Sequence, residues 1–121
     1  MPQGIRLFVY PAKDLAQAKA LYRTLLGVEP YVDESYYVGF RVGDQEIGLD
    51  PYGHTKGMQG PIGYWQVNDI QESLQLLVDA GAQVHQEIQD VGGGMLIAWV
   101  KDADGNITGL RQEPSSASTG S

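Results

Sequence analysis

A helical pattern that opens at Asp14-Leu15 and closes at Gly27 comes back at Asp69-Ile70 and closes at Gly81. The openings lie 55 residues apart and the closings 54. Later in each half, Gly48-Leu49 is answered by Gly109-Leu110, 61 residues on. Two copies are too few for a solenoid, which needs about three stacked repeats to bury a continuous core. The repeat therefore predicts two half-domains that share one core. A pair of similar sheets facing each other makes a cleft, so the seam of the repeat is the expected binding site.

A chain of 121 residues is long enough for one ordinary domain with its own core. We expect that domain over residues 1–113, with module 1 at about 4–50, a linker at 51–60 and module 2 at about 61–113. Residues 114–121 hold almost nothing to bury and are expected to be a disordered tail. There is no cysteine, hence no disulfide framework and no thiolate metal site, which fits a reducing cytoplasm. The start lacks the charged and apolar regions of a secretory signal, and no apolar run approaches the ~20 residues that span a bilayer. A cytoplasmic protein without a membrane partner is expected. The net charge of −7 argues against a nucleic-acid partner, because neutralising phosphates needs clustered Lys and Arg.

Periodicity gives the elements. Ile5 to Tyr10 reads as a strand. Asp14 is a good N-cap; Leu15, Ala18, Tyr22, Leu25 and Leu26 follow at helical spacing, and Gly27 is the left-handed stop. Strands are predicted over 36–42 and 45–50, joined by a Gly43-Asp44 turn, with a short one at 29–33 before them. Residues 51–60 form a polar stretch with three glycines. The order then repeats: strand 62–67, helix 70–80, and strands 83–89, 95–100 and 106–112. Gly92-Gly93-Gly94 marks a flexible connection and Asp104-Gly105 a tight hairpin turn. Each half is β-α-β-β-β.

This duplicated order resembles the vicinal oxygen chelate superfamily of glyoxalases, bleomycin-resistance proteins and extradiol dioxygenases. The residues from Asp14-Leu15 through Tyr22 to Leu26-Gly27 are similar to that family's opening helix motif. Asp102-Ala103-Asp104-Gly105-Asn106 is similar to its closing hairpin. The resemblance covers roughly residues 5–112. It implies an α+β fold of two tandem β-α-β-β-β modules that form a half-open, cup-shaped mixed sheet, commonly as a homodimer.

The resemblance also implies a divalent metal held by His or Glu on the first and last strand of each half. Counted from the shared motifs, those four positions are Leu7, Gly48, Ile62 and Gly109. None of these side chains can ligate, since such ions take N and O donors. The expectation is a cup with no metal and no cofactor. Alternation then lines it with Leu7, Val9, Tyr37, Arg41, Glu46, Asp50, Ile62, Tyr64, Gln66, Ile107 and Arg111. Phe8, Tyr10, Val38, Phe40, Val42, Trp65 and Val67 fall on the opposite, helix-covered faces.

Apolar walls, rings and a few convergent polar groups outline a small-molecule site. The leading expectation is a metal-free protein that sequesters or carries a small, partly aromatic ligand in the cup. An alternative is a lyase-, isomerase- or dioxygenase-like enzyme. It would use Glu46 or Asp50 as base, or hold a metal unconventionally through Glu46, Asp50 and His54. A further alternative is an interaction module with a closed cup. Glu46 and Asp50 read equally as members of an ion-pair network with Arg41 and Arg111. His54 is either a solvated loop residue or part of a lid, and His85 reads as surface.

Overall fold

The computed structural model describes residues 3–114, so the expected tail, apart from Pro114, lies outside the described residues. Among them the chain forms eight strands and two helices. In order these are β1 (Ile5–Pro11), α1 (Leu15–Leu26), β2 (Val32–Glu34), β3 (Tyr37–Val42) and β4 (Gln45–Asp50). After them come β5 (Ile62–Gln66), α2 (Ile70–Asp79), β6 (Gln83–Asp90), β7 (Leu96–Lys101) and β8 (Ile107–Gln112). The fold is α+β, and each half is β-α-β-β-β. By the density of its contacts the chain divides into two compact units. One covers residues 6–63; the other joins the residues from Tyr64 onward with the segment up to Ile5. That segment is tied down by backbone bonds from Gln3 N–H to Gln66 O (2.7 Å) and from Gln66 N–H to Gly4 O (2.9 Å).

In the first unit the strand order is β2-β3-β4-β1. The β3–β4 and β2–β3 pairs are antiparallel, and β1 runs parallel to β4, with Leu7 beside Glu46 and Val9 beside Gly48. The parallel pair needs a crossover, and α1 is part of it. Asp14 caps α1 by accepting from Gln17 N–H at 3.0 Å, and Gly27 ends it with φ 72°. Phe40, Leu49, Val38 and Ala12 form the buried core under α1, packed against its Leu15, Ala18, Tyr22 and Leu26. The helix itself buries no residue fully, and Leu21 and Leu25 are exposed.

In the second unit the same order appears as β6-β7-β8-β5, with β5 parallel to β8. Asp69 caps α2 through Glu72 N–H at 3.1 Å, and the helix ends at Ala80, one residue before the expected glycine. Ile70 and Leu74 of α2 are buried with Val67, Ala98, Val100 and Leu110. Among the residues expected under the helices, Tyr10, Val38, Phe40 and Val67 are there. Val42 and Trp65 are not, with 42% and 37% of their surfaces exposed. The outer strand β6 carries a bulge at His85: Val84 pairs with Val100 and Gln86 with Trp99, leaving His85 as the extra residue.

The stretch 51–60, expected as a plain linker, is a built series of turns. Met58 is buried, its N–H bonds Gly53 O at 2.9 Å, and a Cβ at Gly53 would lie 2.7 Å from Pro11 Cβ and 2.8 Å from Met58 Sδ. A glycine is required at that contact, so this segment packs as part of the first unit.

Candidate functional site

In the first unit, the strand face opposite α1 is set by alternation along β1, β3 and β4. It carries Leu7 and Val9 (buried), Tyr37, Gly39 and Arg41, and Glu46, Gly48 and Asp50. Two glycines, Gly39 and Gly48, face each other across β3 and β4. The Tyr37 ring lies over both: a Cβ at Gly48 would fall 2.6 Å from its Cζ, and one at Gly39 3.3 Å from its Cε2. The Tyr31 ring also overlies Gly39, whose added Cβ would lie 3.2 Å from Tyr31 Cε1. Arg41 stacks its guanidinium 4.2 Å from the Tyr31 ring centroid, a cation–π contact. The Tyr31 hydroxyl donates to Glu46 Oε1 at 2.6 Å. Tyr31 falls within the short strand predicted over 29–33, but β2 spans Val32–Glu34 and Tyr31 precedes it. Its backbone N–H bond to Gly39 O (2.8 Å) brings it onto this face.

Asp50 is buried, and both its oxygens are engaged by the turns that follow. Oδ1 accepts from Tyr52 N–H at 2.8 Å and Oδ2 from Lys56 Nζ at 2.8 Å. The expected partners for this carboxylate were Arg41 and Arg111; the structure gives it Lys56 instead. The reason is local: the turns at 51–57 fold the lysine back onto the strand end. Asp50 thus anchors the segment. His54 is exposed in the same turns, where its carbonyl accepts from Gly57 N–H. Ile62, at the start of β5, is buried.

In the second unit, the face opposite α2 carries Tyr64 and Gln66 from β5, Ile107, Gly109 and Arg111 from β8, and Ile97 and Trp99 from β7. Tyr64 sits beside Gly109 in register, and its ring occupies the space of a Gly109 side chain: a Cβ there would lie 2.5 Å from Cδ1. The indole N–H of Trp99 donates to the Tyr64 hydroxyl at 2.6 Å in a buried bond. His85, re-aimed by the bulge, stacks on Trp99 with centroids 5.8 Å apart and planes 4° from parallel. It is exposed, as expected, but is also the outer cover of this aromatic row. Gln66 and Arg111 are both buried and paired in register. Arg111 directs Nε to Met95 Sδ at 3.2 Å. Gln66 Oε1 is buried with no hydrogen-bond partner among the described residues.

A divalent metal does not fit the four positions where the sequence comparison expects ligands. Leu7 and Ile62 offer only carbon. Gly48 and Gly109 offer no side chain, and tyrosine rings fill the space one would need. Among the described residues no group of three or more His, Asp or Glu is placed to hold an ion.

A separate open groove of about 600 Å³ runs along α1, lined by Tyr10, Pro11, Asp14, Gln17, Leu21 and Tyr22 among others. It lies on the helix side of the first unit, away from the residues the sequence picks out. Tyr10 and Tyr22 pack at 5.1 Å in its wall. Burial, and then the charge Tyr10 would carry, raise the Tyr22 hydroxyl above the ordinary phenol range.

Comparison with known proteins agrees with the element order. The model of the Glyoxalase/Bleomycin resistance protein/Dioxygenase superfamily matches residues 4–109. No curated protein matches the chain in sequence. Among solved structures, methylmalonyl-CoA epimerase from Mycobacterium tuberculosis superposes with a TM-score of 0.70 at 18% identity, covering 97% of this chain and 93% of that one. A glyoxalase/bleomycin resistance protein/dioxygenase superfamily member from Vibrio splendidus 12B01 gives 0.69 at 15% identity, over 88% and 97%. The Mn(II)-bound glyoxalase from Novosphingobium aromaticivorans gives 0.68 at 19% identity, over 92% of this chain and 39% of that one. At these identities the likeness is one of fold.

Proposed function

Because the chain belongs to the Glyoxalase/Bleomycin resistance protein/Dioxygenase superfamily, we propose that it keeps the family's architecture for binding and has given up the metal: it holds a small, partly aromatic molecule without a divalent ion. One observation carries this reading. At two of the four positions where the family resemblance expects ligands, Gly48 and Gly109, a tyrosine ring fills the space of the missing side chain. Each unit then presents rings backed by glycine, with Arg41 on one and Arg111 on the other. Aromatic faces with a few polar groups suit a planar ligand, which can stack on a ring and bond to its edge. Sequestration or carriage needs nothing more. A base-catalysed reaction is less well supported, since Asp50 is held by Lys56 and Tyr52 and His54 lies exposed in a turn.

The test is native mass spectrometry with elemental analysis on freshly purified protein. The expected result is no stoichiometric Zn, Mn, Fe or Ni after dialysis, with a small organic molecule retained. Near-stoichiometric metal that is lost in Glu46→Ala would overturn the proposal. Loosely held cations would not count, because a chain of net charge −7 attracts them without a site.

A further inference from the structure

We propose that Gln66 is the specificity-determining residue of the second unit's ring-lined face, and that the group it reads is an N–H donor of the aromatic amide class. The inference rests on the small-molecule reading above and narrows it.

Gln66 stands out because it breaks a rule the rest of the fold keeps. Its side chain is 95% buried, and its Oε1 has no donor among the described residues. Buried polar atoms nearly always have a partner, and one without a partner destabilises the fold that contains it. The backbone of Gln66 already bonds Gln3 and Gly4, and that pairing would form with any side chain. A leucine would fill similar space with no orphaned atom. The side chain sits on the face opposite α2, in the row with Tyr64, and beside Arg111 on β8.

The chemistry that satisfies such an atom is specific. A carbonyl oxygen accepts; it needs an N–H or O–H brought by a partner. An amide, CO–NH, attached to a ring that lies with Tyr64 and Trp99 is a group whose N–H would donate to Gln66 Oε1. A carboxylate has no proton to give Gln66, and a hydrocarbon would leave Oε1 as it is.

The experiment uses benzamide and N,N-dimethylbenzamide as probes on the full chain, followed by NMR at the Trp99 indole N–H and the side-chain amide of residue 66. Thermal unfolding is measured in parallel. Benzamide is expected to shift both signals and to bind about tenfold more tightly or better than its dimethyl analogue, which cannot donate. In Gln66→Leu that preference should disappear. Without ligand, Gln66→Leu or the more pliant Gln66→Met should raise Tm by about 4 °C, since each removes an unpartnered buried atom. If both probes shift Trp99 equally, and equally in the variant, ligand binding stands and the role of Gln66 falls. If neither probe moves Trp99 or Gln66, this inference falls and the binding reading loses its support on this face. A Tm lowered in both variants would show that Gln66 is a structural residue and would also overturn the inference.

Discussion

At Gly109 a single hydrogen stands where any other residue would place a carbon 2.5 Å from the Tyr64 ring. Gly109→Ala is therefore expected to cost about 1–3 kcal/mol by overpacking. The cost should fall when Tyr64 is first cut to Ala, giving a coupling of about 1 kcal/mol in a double-mutant cycle measured by urea unfolding. Additive effects would mean the ring yields freely. Asp102 shows what the hairpin motif is for. Its carboxylate accepts from Asn106 Nδ2 (3.1 Å), Asn106 N–H (2.8 Å) and Asp104 N–H (3.0 Å). These bonds, the Asn106 side chain first, hold its pKa below the ordinary carboxylate value. A depressed folded pKa means that the bonds stabilise the turn above the unfolded value of about 4 and are lost as pH falls through the folded one. Carboxyl-carbon NMR should place the Asp102 midpoint below the ordinary carboxylate value, and Asn106→Ala should move it back up.

On the scale of elements, the segment after β4 owes its shape to one carboxylate. Asp50→Asn keeps an acceptor for Tyr52 N–H and loses only the ion pair with a lysine that is half exposed, so it should cost about 0–1 kcal/mol. Asp50→Ala also leaves that N–H without its acceptor and should cost about 1–3 kcal/mol. It should also speed proteolytic cutting near Tyr52 and Lys56. Equal costs and equal cutting rates would contradict this ranking. That segment was also the poorest reading from sequence, for a physical reason. Strands and helices announce themselves by period, and both caps, Asp14 and Asp69, were legible because a cap bonds within three residues. The turns at 51–57 have no period; they are fixed by Met58 and Lys56 reaching back to Gly53 and Asp50. Tyr31 was read only as part of a short strand, since its contacts with Arg41 and Glu46 are not local in sequence. Which residues share a face was readable by alternation, whereas what each one touches depended on such contacts. The Tyr64–Trp99 bond, between residues 35 apart in the chain, is one of them.

For the molecule as a whole, a homodimer is proposed on the family resemblance, and light scattering at micromolar concentration should give two chains' mass. A monomer would overturn it. Edge-to-edge strand pairing is not the route proposed. β2 has only three residues, two of them acidic, and β6 is interrupted by its bulge, both of which discourage strand addition. No helix among the described residues is long and apolar enough to cross a membrane.

The paired rings over Gly48 and Gly109 also bear on how such a chain can change its chemistry over time. A histidine introduced at Gly109 alone would collide with Tyr64. Trimming Tyr64 first would strand the buried indole N–H of Trp99. Each order of substitution passes through a weakened intermediate, and Gly48 with Tyr37 imposes the same obstacle again. Acquiring an ion-binding centre from this sequence is thus a strongly epistatic path, blocked step by step by packing. The glycines act as a ratchet against placing a metal-ligating side chain at these two positions.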